Sequence, residues 1–68
     1  MQAVVYIGDK LKDLRTQRAL TQQELADKAG IGKNTVNRIE RNDTEPHMST
    51  LRKIAKALDV DPATLVKG

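Results

Sequence analysis

The 68-residue sequence contains no cysteine, tryptophan or phenylalanine, and its only aromatic residue is Tyr6. Without cysteine there is no disulfide to staple a small fold, no thiolate nucleophile and no thiolate zinc ligand. The same lack fits a reducing compartment, and a cytoplasmic location is expected. One aromatic ring cannot make a stacking platform for single-stranded nucleic acid, which needs several such faces. His47 is the only histidine, so neither a nucleophile–base pair nor a typical zinc site can be assembled. No glycine-rich phosphate loop is present either. No catalysis, no cofactor and no small-molecule substrate are therefore expected, and His47, beside Pro46, reads as a surface or capping residue. No apolar run approaches the roughly 20 residues that span a bilayer. Residues 3–7, Ala-Val-Val-Tyr-Ile, are too few for a signal-peptide core and follow no basic stretch.

What remains is one small domain with an uneven charge. A chain of this length buries about 60% of the surface that its unfolded state exposes. Helical packing and association with a second copy are its available means of support. The net charge is +3 and falls in islands. Residues 1–20 carry Lys10, Lys12, Arg15 and Arg18 against Asp9 and Asp13. Residues 31–42 carry Lys33, Arg38 and Arg41 against Glu40. Between these islands Glu24 and Asp27 outweigh Lys28, and residues 43–50 hold only Asp43 and Glu45. Two basic islands suit a polyanion partner, although an ordinary solvated surface has a similar composition.

The apolar periodicity predicts five short helices. The first runs from Gly8 to Ala19, with Ile7, Leu11 and Leu14 as its stripe at i, i+4 and i+7. Thr21 followed by Glu24 is a capping box, and Leu20 before it can staple onto the next helix, Gln22 to Ala29. Leu25, Ala26 and Ala29 face inward there. Gly30 ends that helix in a left-handed conformation, and Ile31 plugs the turn. Gly32 caps a third helix, Lys33 to Arg41, fastened from beneath by Val36 and Ile39. Residues 42–46, Asn-Asp-Thr-Glu-Pro, are a loop. A fourth helix, Met48 to Leu58, buries Met48, Leu51, Ile54, Ala55 and Leu58. Asp61 and Pro62 open a short fifth helix that carries Leu65 and Val66.

The informative unit is Thr21 to Glu40, two eight-residue helices joined by a glycine turn. Ala26 sits where the second helix would cross. Such a pair projects the outer face of its second helix, and a helix of this kind fits the major groove of B-DNA. The exposed face carries Lys33, Asn34, Asn37, Arg38 and Arg41. Asparagine can pair with adenine, lysine and arginine donate to guanine or phosphate, and Thr35 offers a methyl to thymine.

With these residues in place, the chain resembles the lambda-repressor-like helix-turn-helix family, the Cro and phage-repressor type also called XRE. The resemblance covers about Ile7 to Val66. It rests on Leu-Arg at 14–15, Leu-Thr-Gln-Gln-Glu-Leu-Ala at 20–26, Ala-Gly at 29–30, Thr-Val-Asn-Arg-Ile-Glu at 35–40, Pro46, and Leu-Arg-Lys-Ile-Ala-Lys-Ala-Leu at 51–58. It implies an all-α, five-helix domain over residues 7–68 with an N-terminal extension over residues 1–6. It also implies double-stranded DNA as partner, no cofactor, and a homodimer on a palindromic operator. Base reading would fall to Lys33, Asn34, Thr35, Asn37 and Arg38. Backbone contacts would fall to Gln22, Gln23, Arg41 and Asn42. Arg15 and Glu40 match a structural ion pair between the first and third helices. Gly32 departs from the family, which often has Ser or Thr there, so base preference cannot be carried over at that position. The N-terminal run has strand-like residues, and it is open whether it pairs across a dimer, folds onto the fifth helix or is a plain tail. Leu65 and Val66, with that run, are the expected dimer surface. The competing reading keeps the fold but gives it a protein partner, as an antitoxin-like module or a piece of a larger regulator.

Overall fold

Left-handed residues end four of the helices in this chain and thereby set how the helices pack. The computed structural model describes residues 6–66, in the order α1 (Gly8–Gln17), α2 (Gln22–Ala29), α3 (Lys33–Glu40), α4 (Met48–Leu58) and α5 (Pro62–Val66). All regular structure among the described residues is helical. Residues 1–5 and 67–68 lie outside them, and so does most of the strand-like N-terminal run.

After α1, the Leu20 N–H donates to the Arg15 carbonyl at 3.1 Å and the Ala19 N–H to that of Thr16 at 2.9 Å. The same pair of bonds closes α2 (Ile31 to Ala26, 3.0 Å; Gly30 to Asp27, 3.3 Å). It closes α3 through Asp43 to Arg38 at 2.9 Å and Asn42 to Ile39 at 3.0 Å, and α4 through Val60 to Ala55 at 3.0 Å and Asp59 to Lys56 at 3.1 Å. This is the Schellman motif, which satisfies carbonyls that the helix itself leaves without donors. It requires a left-handed residue, here Ala19 (φ 55°), Gly30 (φ 69°), Asn42 (φ 59°) and Asp59 (φ 57°). After three of these, Leu20, Ile31 and Val60 fold back half-buried onto the core. The first helix therefore stops at Gln17 rather than at Ala19, because Ala19 has already left the helical region. The third stops at Glu40, with Arg41 as its C-cap. The second and fourth match expectation residue for residue.

The starts of α2 and α5 are capped by side chains. Thr21 Oγ1 accepts from the Glu24 N–H at 3.0 Å, and Glu24 Oε1 accepts from the Thr21 N–H at 2.8 Å, which completes the capping box. The backbone hydrogen bond from Thr21, reinforced by its hydroxyl, holds the Glu24 carboxyl below its ordinary pKa. Asp61 Oδ1 accepts from the Ala63 N–H at 2.9 Å and starts α5 behind Pro62.

The core draws on every helix: Ile7, Leu11 and Leu14, then Leu25 and Ala26, Val36 and Ile39, then Leu51, Ile54, Ala55 and Leu58, and finally Leu65. One expected core residue is not in it. Met48 is 60% exposed, because the first residue of α4 lies one turn beyond the layer formed by Leu51 and Ile54. Val66 is 43% exposed, while its neighbour Leu65 takes the single inward position of α5. Leu65 is thus core of the monomer and is not available as a dimer contact.

Gly8 fixes the approach of α1 to α3. A Cβ there would stand 2.5 Å from the Glu40 carbonyl oxygen and 2.8 Å from that of Ile39, and closer still to Asn42 Oδ1. With no Cβ, the Gly8 N–H donates to Asn42 Oδ1 at 3.0 Å. The start of α1 is thereby pinned to the end of α3.

Ala19 tests the helix-end account. An L-residue in the left-handed region costs about 1–2 kcal/mol, of which the extra unfolded-state entropy of glycine returns only part. Ala19→Gly is expected to stabilise the chain by up to about 1 kcal/mol, read as a higher urea midpoint at unchanged slope. An unchanged or lower midpoint would mean that Ala19 carries no strain.

Candidate nucleic-acid interface

The outer surface of α3 is formed because its inner surface is fully used. Val36 is 0% and Ile39 1% exposed, and the helix has eight residues, so Lys33, Asn34, Thr35 and Arg38 are left facing outward. Arg41 and Asn42 continue that exposed surface past the helix end. Asn37 is only half-buried and lies on the flank nearest α2.

The polar groups behind this surface are connected. Glu40, with its side chain 4% exposed, accepts from Arg15 Nε at 2.6 Å and from Arg15 Nη2 at 3.0 Å. This is the two-pronged geometry in which arginine and carboxylate bind most specifically. Hydrogen bonding to Glu40 raises the Arg15 pKa above its usual value, so the guanidinium stays charged. Arg15 Nη1 also donates to the Leu20 carbonyl at 2.7 Å, which ties the α1–α2 turn to the same centre. Gln22, the first residue of α2, donates through Nε2 to Glu40 Oε1 at 3.2 Å and accepts through Oε1 from Asn37 Nδ2 at 3.2 Å. Four side chains from three helices thus form one line, Arg15–Glu40–Gln22–Asn37. No buried side-chain polar atom among the described residues is left without a partner.

Glu40 is the one acidic residue of α3, and its charge is spent on Arg15. The outer face therefore presents Lys33 and Arg38 with no acid in the first turn, where the helix dipole already favours anions. Arg41 lies 3.5 Å from Asp43, but both side chains are largely in solvent, so the pair is weak. Gln23 is exposed and donates to Asp27 Oδ1 at 2.9 Å along its own helix.

Sequence reasoning treated Gln22, Asn37 and Asn42 as independent surface residues. In the structure Gln22 and Asn37 bond to each other, and Asn42 is the acceptor for α1. The signal for the first pair was available, since Asn37 and Glu40 are three residues apart on one side of α3. What was missing was the position of Gln22 opposite them. Among the described residues no group of three or more acidic or histidine side chains could hold a metal. His47 is exposed at the N-cap position of α4 and makes no side-chain capping bond.

Two short helices around a glycine turn, the second with a polar basic face held from behind, define a helix-turn-helix unit. Residues 11–65 match the HTH_3 helix-turn-helix family model, and the chain belongs to that family. It is 42% identical over 59 residues to the CTXphi transcriptional repressor RstR of Vibrio cholerae, covering 87% of this chain and 53% of the relative. It is 39% identical over 61 residues to the transcriptional regulator SinR of Bacillus subtilis, covering 88% and 55%. The chain thus spans about half the length of these curated relatives. A crystal structure of SinR in complex with DNA superposes with TM-score 0.86 at 39% identity, covering 90% of this chain and 98% of that one. The P22 c2 repressor in complex with a synthetic operator gives TM-score 0.85 at 29% identity, covering 91% and 94%.

Breaking the ion pair should be costly. Removal of one partner of a largely buried pair leaves the other charge uncompensated, a loss of about 3 kcal/mol or more. Glu40→Ala is therefore expected to lower the melting temperature by at least about 10 °C in a domain of this size. An unchanged melting temperature would contradict a structural role for the pair.

Proposed function

We propose that the chain is a sequence-specific double-stranded-DNA-binding transcriptional regulator, acting as a repressor. It reads the major groove with α3 and binds a palindromic operator as a homodimer. The observation that carries this reading is the outer face of α3: Lys33, Asn34, Thr35 and Arg38 are exposed together, and the only acid on the helix is neutralised behind them. Base edges are read by these residues and by Asn37. Gln22, Gln23, Arg41 and Asn42 bind phosphates and set the register. The RstR and SinR similarities support a regulatory role, and the two complexes with DNA support the choice of partner.

Dimer formation rests on the apolar surface left over by the fold. Tyr6, 55% exposed, and Val66 flank one groove between the start of α1 and α5, together with Asp9, Lys10 and Asp13. Two copies joined there place their α3 helices on successive turns of the duplex, about 34 Å apart. The site of action is the cytoplasm. No described helix is long and apolar enough to cross a membrane.

The experiment is selection of the purified chain against random double-stranded DNA, followed by sequencing of the bound pool and titration of the best sequence in salt. The expected motif is two-fold symmetric with half-sites about 10 base pairs apart. About three neutralised phosphates per subunit give a slope of log affinity against log salt near −5. Asn34→Ala should relax base preference at one or two positions and leave the others intact. No enrichment at moderate salt would overturn the reading in favour of a protein partner.

A further inference from the structure

A carboxylate accepts hydrogen bonds and donates none, and this fixes the polarity of every amide connected to Glu40. Its oxygens already take Nε and Nη2 of Arg15, so the atom of Gln22 that approaches Oε1 at 3.2 Å must be the nitrogen. That orientation turns Gln22 Oε1 toward Asn37. An oxygen there demands a donor, so Asn37 directs Nδ2 inward at 3.2 Å. Asn37 Oδ1 and the second Nδ2 proton then form the edge that is left for another partner.

We propose that this line of hydrogen bonds, anchored by the Arg15–Glu40 charges, locks Asn37 in the orientation that pairs with adenine and rejects guanine. The inference rests on the DNA-reading role given to α3 above. In the major groove adenine shows a donor, N6, beside an acceptor, N7, which complement Oδ1 and the remaining proton. Guanine shows two acceptors, O6 and N7, and Oδ1 would face one of them. An unrestrained asparagine escapes such a mismatch by turning Nδ2 outward, so that its two protons donate to O6 and N7. Here the turn would put Asn37 Oδ1 against Gln22 Oε1. If Gln22 turned as well, its oxygen would face the Glu40 carboxylate. The 4% exposure of the Glu40 side chain shields its bonds from water, and Gln22 and Asn37 are half-buried beside it. Asn37 is thus a specificity-determining residue. Gln22 has two functions, since its second Nε2 proton still suits a phosphate. Arg15 is a positioning residue that acts on base choice through two intermediates.

The test uses the whole chain in two measurements. Random double-stranded DNA is selected with the wild type, Asn37→Ala and Gln22→Ala, and the pools are sequenced. In parallel, NMR of the free protein follows water exchange of the Asn37 side-chain protons. In the wild type, one position per half-site is expected to favour adenine over guanine by about tenfold or more, the discrimination of a bidentate pair. Asn37→Ala abolishes that preference and so identifies the position. Gln22→Ala weakens binding generally and in addition reduces this one preference to about threefold or less, the signature of two coupled residues. One Asn37 Nδ2 proton should exchange slowly in the wild type and rapidly in Gln22→Ala. The proposal is overturned if the Asn37-dependent position favours guanine, or if Gln22→Ala keeps the full adenine preference. DNA enrichment with both Asn37 protons exchanging freely overturns the lock alone. No enrichment with a protected Asn37 proton overturns the DNA-reading role, and adenine selection with it, while the hydrogen-bonded line stands.

Discussion

Glu40 receives three donors from two other helices. Two come from Arg15 on α1 and one from Gln22 on α2. The angle at which α3 leaves the core depends on this carboxylate more than on any apolar contact. Val36 and Ile39 hold α3 down, but apolar contacts have little directional preference and would permit a small roll about the helix axis. The fork between Arg15 and Glu40 does not permit it, because planar donors and acceptors match over a narrow range of angles. Buried ion pairs contribute little net stability compared with well-packed apolar side chains. This pair is better understood as a device for orientation.

The helix ends serve the same purpose. A domain this small has room for five helices only if each stops sharply and the chain turns back at once. Four Schellman closures do this, and each reverses the chain in two residues. The α3 closure is the one that matters for the candidate site. Its left-handed residue, Asn42, also accepts the Gly8 N–H, so the residue that ends α3 also begins α1. Both ends of the α1–α3 contact are therefore fixed by polar bonds, Asn42 to Gly8 at one and Glu40 to Arg15 at the other.

The parts of this arrangement that were legible in the sequence are those written in local chemistry. Thr21 with Glu24, Gly30 after Ala29, and Asp61 before Pro62 each announce a boundary through their own side chain or lack of one, and the structure puts those boundaries at the same residues. Ala19 carries no such mark, and the expected first helix is two residues longer than the one found. Met48 fits an apolar period, but periodicity gives the angle of a residue around its helix and not its height along the core layers, so the expected burial of Met48 fails. The Arg15–Glu40 pairing was legible only through family resemblance, since 25 residues separate its partners. The bond from Gln22 to Asn37 is legible only in half, through Asn37 and Glu40 on one side of α3. It requires the relative placement of two helices, which no single stretch of sequence encodes.

The central claim is that the Arg15–Glu40 pair orients α3 and adds little to stability. The most direct measurement replaces both partners at once with apolar side chains of similar size, as Arg15→Met with Glu40→Leu. It then compares melting temperature and affinity for the selected DNA with those of the wild type. The account predicts a folded protein that melts within a few degrees of the wild type, because no charge is left buried and unpaired. It also predicts a loss of affinity of about tenfold or more, about 1.4 kcal/mol, because Gln22 loses its anchor and α3 its orientation. A double variant that folds and binds the same DNA with undiminished affinity would contradict it.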